Sequence, residues 1–267
     1  MAEVIGAVAQ RADPSWWSLL AALSLVGVAV AFSIVQRLDL ERTLVWAALR
    51  AGVQLALIGV ALHLVLGPGR SLWLGWLWVA VMVLFAAWTN RQRAPEVPGA
   101  FALGAVAYVA SLTVTLGVLF GGRVFPVEAR TLVPLSGMVV GNSLACTVLV
   151  GRRVTAELRD RRDEVEARLA LGMTSADAAH PFLRSAVRTA LVPQIETTKA
   201  VGIVYLPGAM VGLILAGADP QTAVKVQLAV MYLMLGAVAT STSVMGVGLI
   251  RRLFTPDHRL TRLPPPE

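Results

Sequence analysis

Cysteine is nearly absent. Cys146 is the only thiol in 267 residues, so no internal disulfide can form and no thiolate cluster can hold a metal. Charge is scarce as well. Lys, Arg, Asp and Glu make up 15% of the chain against about 25% in an average soluble domain, so a surface facing only water is excluded. No Gly-rich loop ending in Gly-Lys-Ser/Thr occurs, which excludes ATP binding of that type on this chain. No nucleophile–base pairing or His/Cys/Asp spacing of a metal site appears either, so no catalytic residue, cofactor or defined metal ligand is predicted. The N-terminal segment lacks a basic start and its first apolar run is too long for a leader's hydrophobic core, so no cleaved leader is expected.

What the chain has instead is apolar length. Hydrophobic residues make up 57%, and mean hydropathy is +0.71. The net charge of +7 sits in short blocks between apolar runs, the layout of membrane topology signals rather than of a nucleic-acid surface. Spanning a ~30 Å hydrocarbon core takes about 20 residues of helix. Seven runs qualify: 16–36, 44–66, 72–90, 101–121, 131–151, 191–217 and 222–250. They are parted by Gly67-Pro68-Gly69, Pro95 to Gly99, Gly121-Gly122 and Ala218-Asp219-Pro220, each a helix breaker. Trp16, Trp17, Trp73, Trp76, Trp78 and Trp88 cluster near run ends, at the depth indoles favour. The predicted fold is an all-α integral membrane protein of about seven transmembrane helices, a single permease-like domain in a cell membrane.

Orientation follows from the cations. With the N-terminus outside, the inner segments hold sixteen Arg and the outer segments four, while Arg50, Lys199 and Lys225 fall inside spans. That asymmetry predicts N-terminus outside and C-terminus inside. The one large loop, 152–190, is then cytoplasmic. Residues 152–171 mix both charge signs with helix formers and should continue the fifth helix. Gly172 is a C-terminal stop suited to a left-handed cap, and Thr174 with Asp177 three residues on has capping-box spacing. Ala176, Ala179, Phe182, Leu183 and Ala186 then form an apolar stripe with Arg184 and Arg188 off it, expected to be a short amphipathic helix, kinked or ended early by Pro181 and finished before Pro193. Such a helix either docks a soluble partner or anchors the loop in headgroups.

Glu166-Ala167, followed by Gly172, resembles the loop through which ABC permeases grip their ATPase. Four blocks resemble the FetB-type family of permeases associated with iron export: RAGVQL at 50–55, PLSGMVVGNS at 134–143, EARLALGMTSADAAHPFLRSAVRTALVP at 166–193 and LPGAMVGLILAGADPQTAVKVQ at 206–227. The family pattern of the last block has Met, Thr and Gln where Ala209, Val211 and Leu213 stand here. The resemblance implies a homodimeric permease served by a separate ATPase subunit, with Glu166, Ala167 and Gly172 in coupling and iron or another metal ion as the exported solute.

Groups costly at membrane depth are the candidates for a path or gate. Arg50 and Gln54 share a face of the second span, and Glu196 and Lys199 lie three apart in the sixth. Pro134, with Gly137 and Gly141, marks the fifth span, where Met138 and Asn142 share a neighbouring face. Pro207-Gly208 interrupts the sixth, beside Met210, and interrupted helices expose carbonyls along transport paths. The thioethers of Met138, Met210, Met231 and Met234 suit soft or borderline metals, although Met in apolar helices is more often filler. The alternatives left open are a permease for an organic or lipid-like solute, an ion-coupled carrier and a seven-helix receptor. For a retinal-type receptor, Lys225 lies at the wrong end of the last span.

Overall fold

The computed structural model describes residues 16–67, 71–203 and 206–261, and among these every regular element is helical. In chain order they are α1 (Trp16–Gln36), α2 (Glu41–Leu66), α3 (Leu72–Arg93), α4 (Ala100–Gly121), α5 (Ala129–Asp160), α6 (Arg162–Ala170), α7 (Ser175–Ala200), α8 (Gly208–Leu215) and α9 (Pro220–Leu253). Among the described residues, six helices, α1 to α5 and α9, are long and apolar enough to cross a membrane.

The sixth expected run departs from the prediction. Residues 191–217 are not one helix: α7 ends at Ala200, Val201 is extended, Gly202 takes φ +89°, and helix resumes only at Gly208 after Pro207. A left-handed glycine and a proline without a donor N–H cannot both sit in a continuous α-helix. The expected short helix of the loop is also corrected. α7 is one 26-residue helix that carries both Pro181 and Pro193 within it, so neither proline ends it. Glu196 and Lys199 therefore sit at the end of this amphipathic helix, which is not among the six apolar ones. Of the turn Gly67-Pro68-Gly69, Pro68 and Gly69 lie outside the described residues.

The chain divides into two compact units, Met1–Arg70 with Gly208–Ala223, and Ser71–Pro207 with Val224–Glu267. In the first, α1 and α2 form a helical hairpin. Its turn uses left-handed Arg37 and Asp39, and Ser33 pins it: the hydroxyl donates to Glu41 Oε2 at 3.0 Å and accepts the Leu40 N–H at 3.1 Å. The hairpin leaves Leu23, Leu25, Leu49 and Leu55 exposed, an apolar surface that suits hydrocarbon rather than water. In the same unit α8 closes at left-handed Gly217, where the Ala218 N–H reaches back to the Leu213 carbonyl at 3.0 Å. Asp219 then accepts the Thr222 N–H at 3.0 Å, with Pro220 as the first residue of α9, a position where its missing donor costs nothing.

In the second unit α3, α4, α5, α7 and the body of α9 pack round two apolar clusters. One gathers Val83, Tyr108, Leu112, Leu132, Val139 and Leu233; the other gathers Val150, Leu158, Phe182, Met245, Leu249 and Leu253. The closest approaches fall at glycines other than Gly137 and Gly141. A Cβ on Gly246 would lie 2.7 Å from Leu183 Cδ1, and one on Gly104 2.5 Å from Asn90 Nδ2, whereas one on Gly137 would meet only Met82 Sδ at 3.6 Å and one on Gly141 nothing within 4 Å.

Candidate functional site

The charged segment between the fifth span and the end of α7 folds as helix, elbow, helix. α5 runs past its apolar stretch to Asp160, breaks at Arg161, and restarts as α6. α6 stops at a left-handed glycine: Gly172 has φ +86°, and the Met173 N–H returns to the Arg168 carbonyl at 3.2 Å. Thr174 caps α7. Its hydroxyl accepts the Asp177 N–H at 3.2 Å and donates to Asp177 Oδ2 at 2.7 Å, so Asp177 receives the hydroxyl proton instead of closing the box on the Thr174 backbone. Between the two helix ends Leu171 is 81% exposed and Met173 is also exposed, two apolar side chains offered either side of Gly172.

Of the expected stripe, Ala179, Phe182 and Ala186 are buried and Leu183 is half-buried. Ala176 is exposed instead, and Ala178 and Ala190 take the remaining buried positions, because the face turned to α5 lies a little round from the predicted one. Phe182 is roofed by the guanidinium groups of Arg161 and Arg168, at 6.0 and 5.7 Å from its ring centre. Ser185 Oγ donates to Glu157 Oε1 at 2.9 Å, tying α7 to α5. Glu166 is exposed and accepts from Arg162 Nε at 2.6 Å, Ala167 is exposed beside it, and Gly172 has no atom within 4 Å of where a Cβ would stand. All three expected coupling residues thus lie on the outer side of the elbow.

Sequence reasoning missed the C-terminal segment that holds this elbow. After α9 the chain turns at left-handed His258 and pairs Phe254 with Leu260 in an isolated bridge. His258 Nδ1 accepts the backbone N–H of Ser175, the first residue of α7, at 3.2 Å and lies 3.0 Å from the Ser175 hydroxyl. The Arg162 guanidinium donates to the carbonyls of Leu260 and Thr261 at 3.3 and 3.5 Å. These partners stand more than eighty positions apart, and no periodicity or motif announces such pairings.

The expected path and gate residues are less gathered. Arg50 and Gln54 are exposed one turn apart on α2. Met138 is half-buried against the apolar cluster of α3, α4 and α5, and Asn142 turns its Nδ2 back to the Met138 carbonyl at 2.9 Å. Glu196 pairs with Lys199 at 2.9 Å, both exposed, an i,i+3 pair of small stabilising value. Pro207 ends the non-helical stretch, and Gly208 and Met210 lie in the first turn of α8. Met234 is core and Met231 half-buried. Among the described residues no group of three or more His, Cys, Asp or Glu gathers into a metal cage.

The sequence profile of the family described as "Uncharacterised protein family (UPF0014)" matches residues 16–254. The chain is 38% identical over 223 residues to "UPF0014 membrane protein STAR2" of Oryza sativa subsp. japonica, an alignment covering 84% of this chain and 78% of that one. It is 34% identical over 224 residues to "Protein ALUMINUM SENSITIVE 3" of Arabidopsis thaliana, covering 83% and 81%. It is 32% identical over 252 residues to "Probable iron export permease protein FetB" of Escherichia coli K12, covering 91% and 93%. No solved structure matches. With the profile spanning the chain from the first apolar helix to the end of the last, the protein belongs to the UPF0014 family, of FetB type.

Proposed function

We propose that this chain is the membrane-spanning permease subunit of an ABC transporter, working as a homodimer in the cell membrane with a separate ATPase docked on each copy. The observation that carries this reading is the elbow at Gly172. Two exposed apolar side chains, Leu171 and Met173, flank a left-handed glycine between helices that are themselves locked to the bundle through Phe182 and Ser185. A knob held that firmly moves with the membrane helices when a soluble partner moves it. Closure of the ATPases on ATP then drives the change of access in the permease. The N-terminus lies outside, and the elbow and C-terminus inside, by the distribution of Arg and Lys.

The solute is iron or another metal ion, leaving the cytoplasm. The names of the relatives from Escherichia coli and Arabidopsis thaliana refer to iron export and to aluminium, and both metals as trivalent ions are hard and prefer oxygen. Arg50, Gln54, Met138, Asn142, Glu196, Pro207, Gly208 and Met210 are our candidates for path and gate. Helix is interrupted at Val201, Gly202 and Pro207, and backbone oxygens beside such a break are ligands that a permeating ion can exchange. One observation favours a second reading. With no carboxylate or His cluster among the described residues, a metal complex or an organic solute would need no cage.

The test is metal-stimulated ATP hydrolysis by the permease reconstituted with its partner ATPase. Stimulation by ferric or aluminium ions, with lower transport in Met210→Leu at unchanged folded yield, is the expected result. Hydrolysis indifferent to metals would replace the ion by an organic solute, and a permease that recruits no ATPase would remove the ABC reading altogether.

A further inference from the structure

A polar cavity of about 340 Å³ opens where α5 leaves its apolar stretch, walled by Glu96, Leu149, Arg152, Arg153, Thr155 and Arg159. That volume lies within the range of small-molecule sites. The wall carries three guanidinium groups and one carboxylate. Arg152 is committed to Glu96 at 2.7 Å, and Arg159 to its chain neighbour Asp160 at 3.1 Å. Thr155 spends its hydroxyl proton on the Gly151 carbonyl at 2.9 Å. Arg153 differs: among the described residues it joins no ion pair, while Glu157, one turn on, accepts from Ser185 of α7.

The depth of the cavity says what anion fits. Leu149 and Gly151 end the apolar run, and Arg152 and Arg153 follow immediately. At 1.5 Å per residue those guanidinium groups leave the hydrocarbon within about 3 Å, inside a headgroup layer of roughly 5–8 Å per leaflet. Helical side chains lean toward the N-terminus of their helix, so Arg159, two turns further out, leans back toward the same layer. Leu149 and Ala156 supply aliphatic wall beside the three guanidinium groups, a mixture that suits a phospholipid at its glycerol–phosphate boundary.

We propose that this cavity binds the phosphodiester headgroup of an anionic membrane lipid, with Arg153 as its main contact and Arg152 and Arg159 completing the rim. The site stands apart from the elbow and is independent of which solute the protein moves. Its occupant sits where Glu96 of the α3–α4 turn meets Arg152 of α5, and so couples the bundle to the composition of its leaflet.

Native mass spectrometry of the full chain, released from detergent with defined lipids, tests it. Phosphatidylglycerol should be retained over phosphatidylcholine, and Arg153→Gln should reduce that retention about fivefold, the effect of about 1 kcal/mol for one arginine at a membrane surface. Arg153→Lys should keep most of it. Arg188→Gln, which removes an exposed arginine of α7 outside the cavity, should leave it unchanged. Glu96→Gln supplies a test of opposite sign, because removing the one carboxylate of the wall should raise retention. Equal retention of the two lipids, no response to Arg153→Gln, or a fall with Glu96→Gln would each overturn the site. Displacement of the lipid by inorganic phosphate at millimolar concentration would overturn the lipid as occupant and assign the cavity to a free anion.

Discussion

Single backbone positions set the geometry of the elbow proposed to dock the ATPase. Gly172 sits at φ +86° with open space where a Cβ would be, so nothing but the backbone forbids a side chain there. A left-handed conformation costs an L-residue roughly 1–2 kcal/mol, and a β-branched one more. Gly172→Val is therefore expected to insert and fold, since the cost falls on an exposed elbow rather than on the core. It should lose recruitment of the ATPase, measured by co-purification, and stimulation of hydrolysis in vesicles. Unchanged stimulation would show that the elbow is no docking element. Gly172 was readable in the sequence because a lone glycine after a charged helix has one common use. Gly104 and Gly246 were not, because what they relieve is an approach to Asn90 or Leu183 from another helix.

At the scale of elements, α6, the elbow and the start of α7 are held by a segment far away in the chain. His258 accepts the Ser175 N–H, one of the donors a helix start leaves without an internal partner, and Arg162 ties α6 to the Leu260 and Thr261 carbonyls. Losing one such hydrogen bond costs about 1 kcal/mol, enough to raise local opening about fivefold. We expect His258→Ala and Arg162→Ala each to speed exchange of the Ser175 amide about fivefold in hydrogen-exchange mass spectrometry, with exchange in the middle of α4 and α5 unchanged. Exchange at Ser175 equal to wild type would mean that the C-terminal segment does not restrain the elbow. The extent of α7 is the other lesson of this scale. Two prolines suggested a short helix, yet the face Ala178, Phe182, Ala186 and Ala190 packs continuously on α5 and α9, and that burial outweighs the carbonyls Pro181 and Pro193 leave without donors.

For the whole molecule, sidedness is the property on which the mechanism depends. On the proposed orientation, α6 and the elbow lie on the cytoplasmic side. Asp163 is exposed on α6, and Cys146 is buried, so Asp163→Cys in a Cys146→Ala background gives a single addressable thiol. An impermeant maleimide should leave it unlabelled in intact cells and label it once the membrane is opened. Labelling from outside would invert the topology and move the proposed ATPase contact to the wrong face.

Composition and periodicity by themselves determined that the chain is helical, apolar and multi-spanning, and four sequence blocks pointed to its family. These are local properties: run length, breaker residues and the order of charges are written along the chain and need no partner to be read. The elbow was equally local, since a left-handed glycine and a Thr cap involve neighbours within a few residues. Only the tertiary structure decided that His258 and Arg162 close the C-terminal segment onto the elbow, and that Glu157 turns to Ser185. Each of those outcomes rests on which distant side chain or backbone group comes within hydrogen-bonding distance. That is set by how helices pack, not by what stands next in sequence.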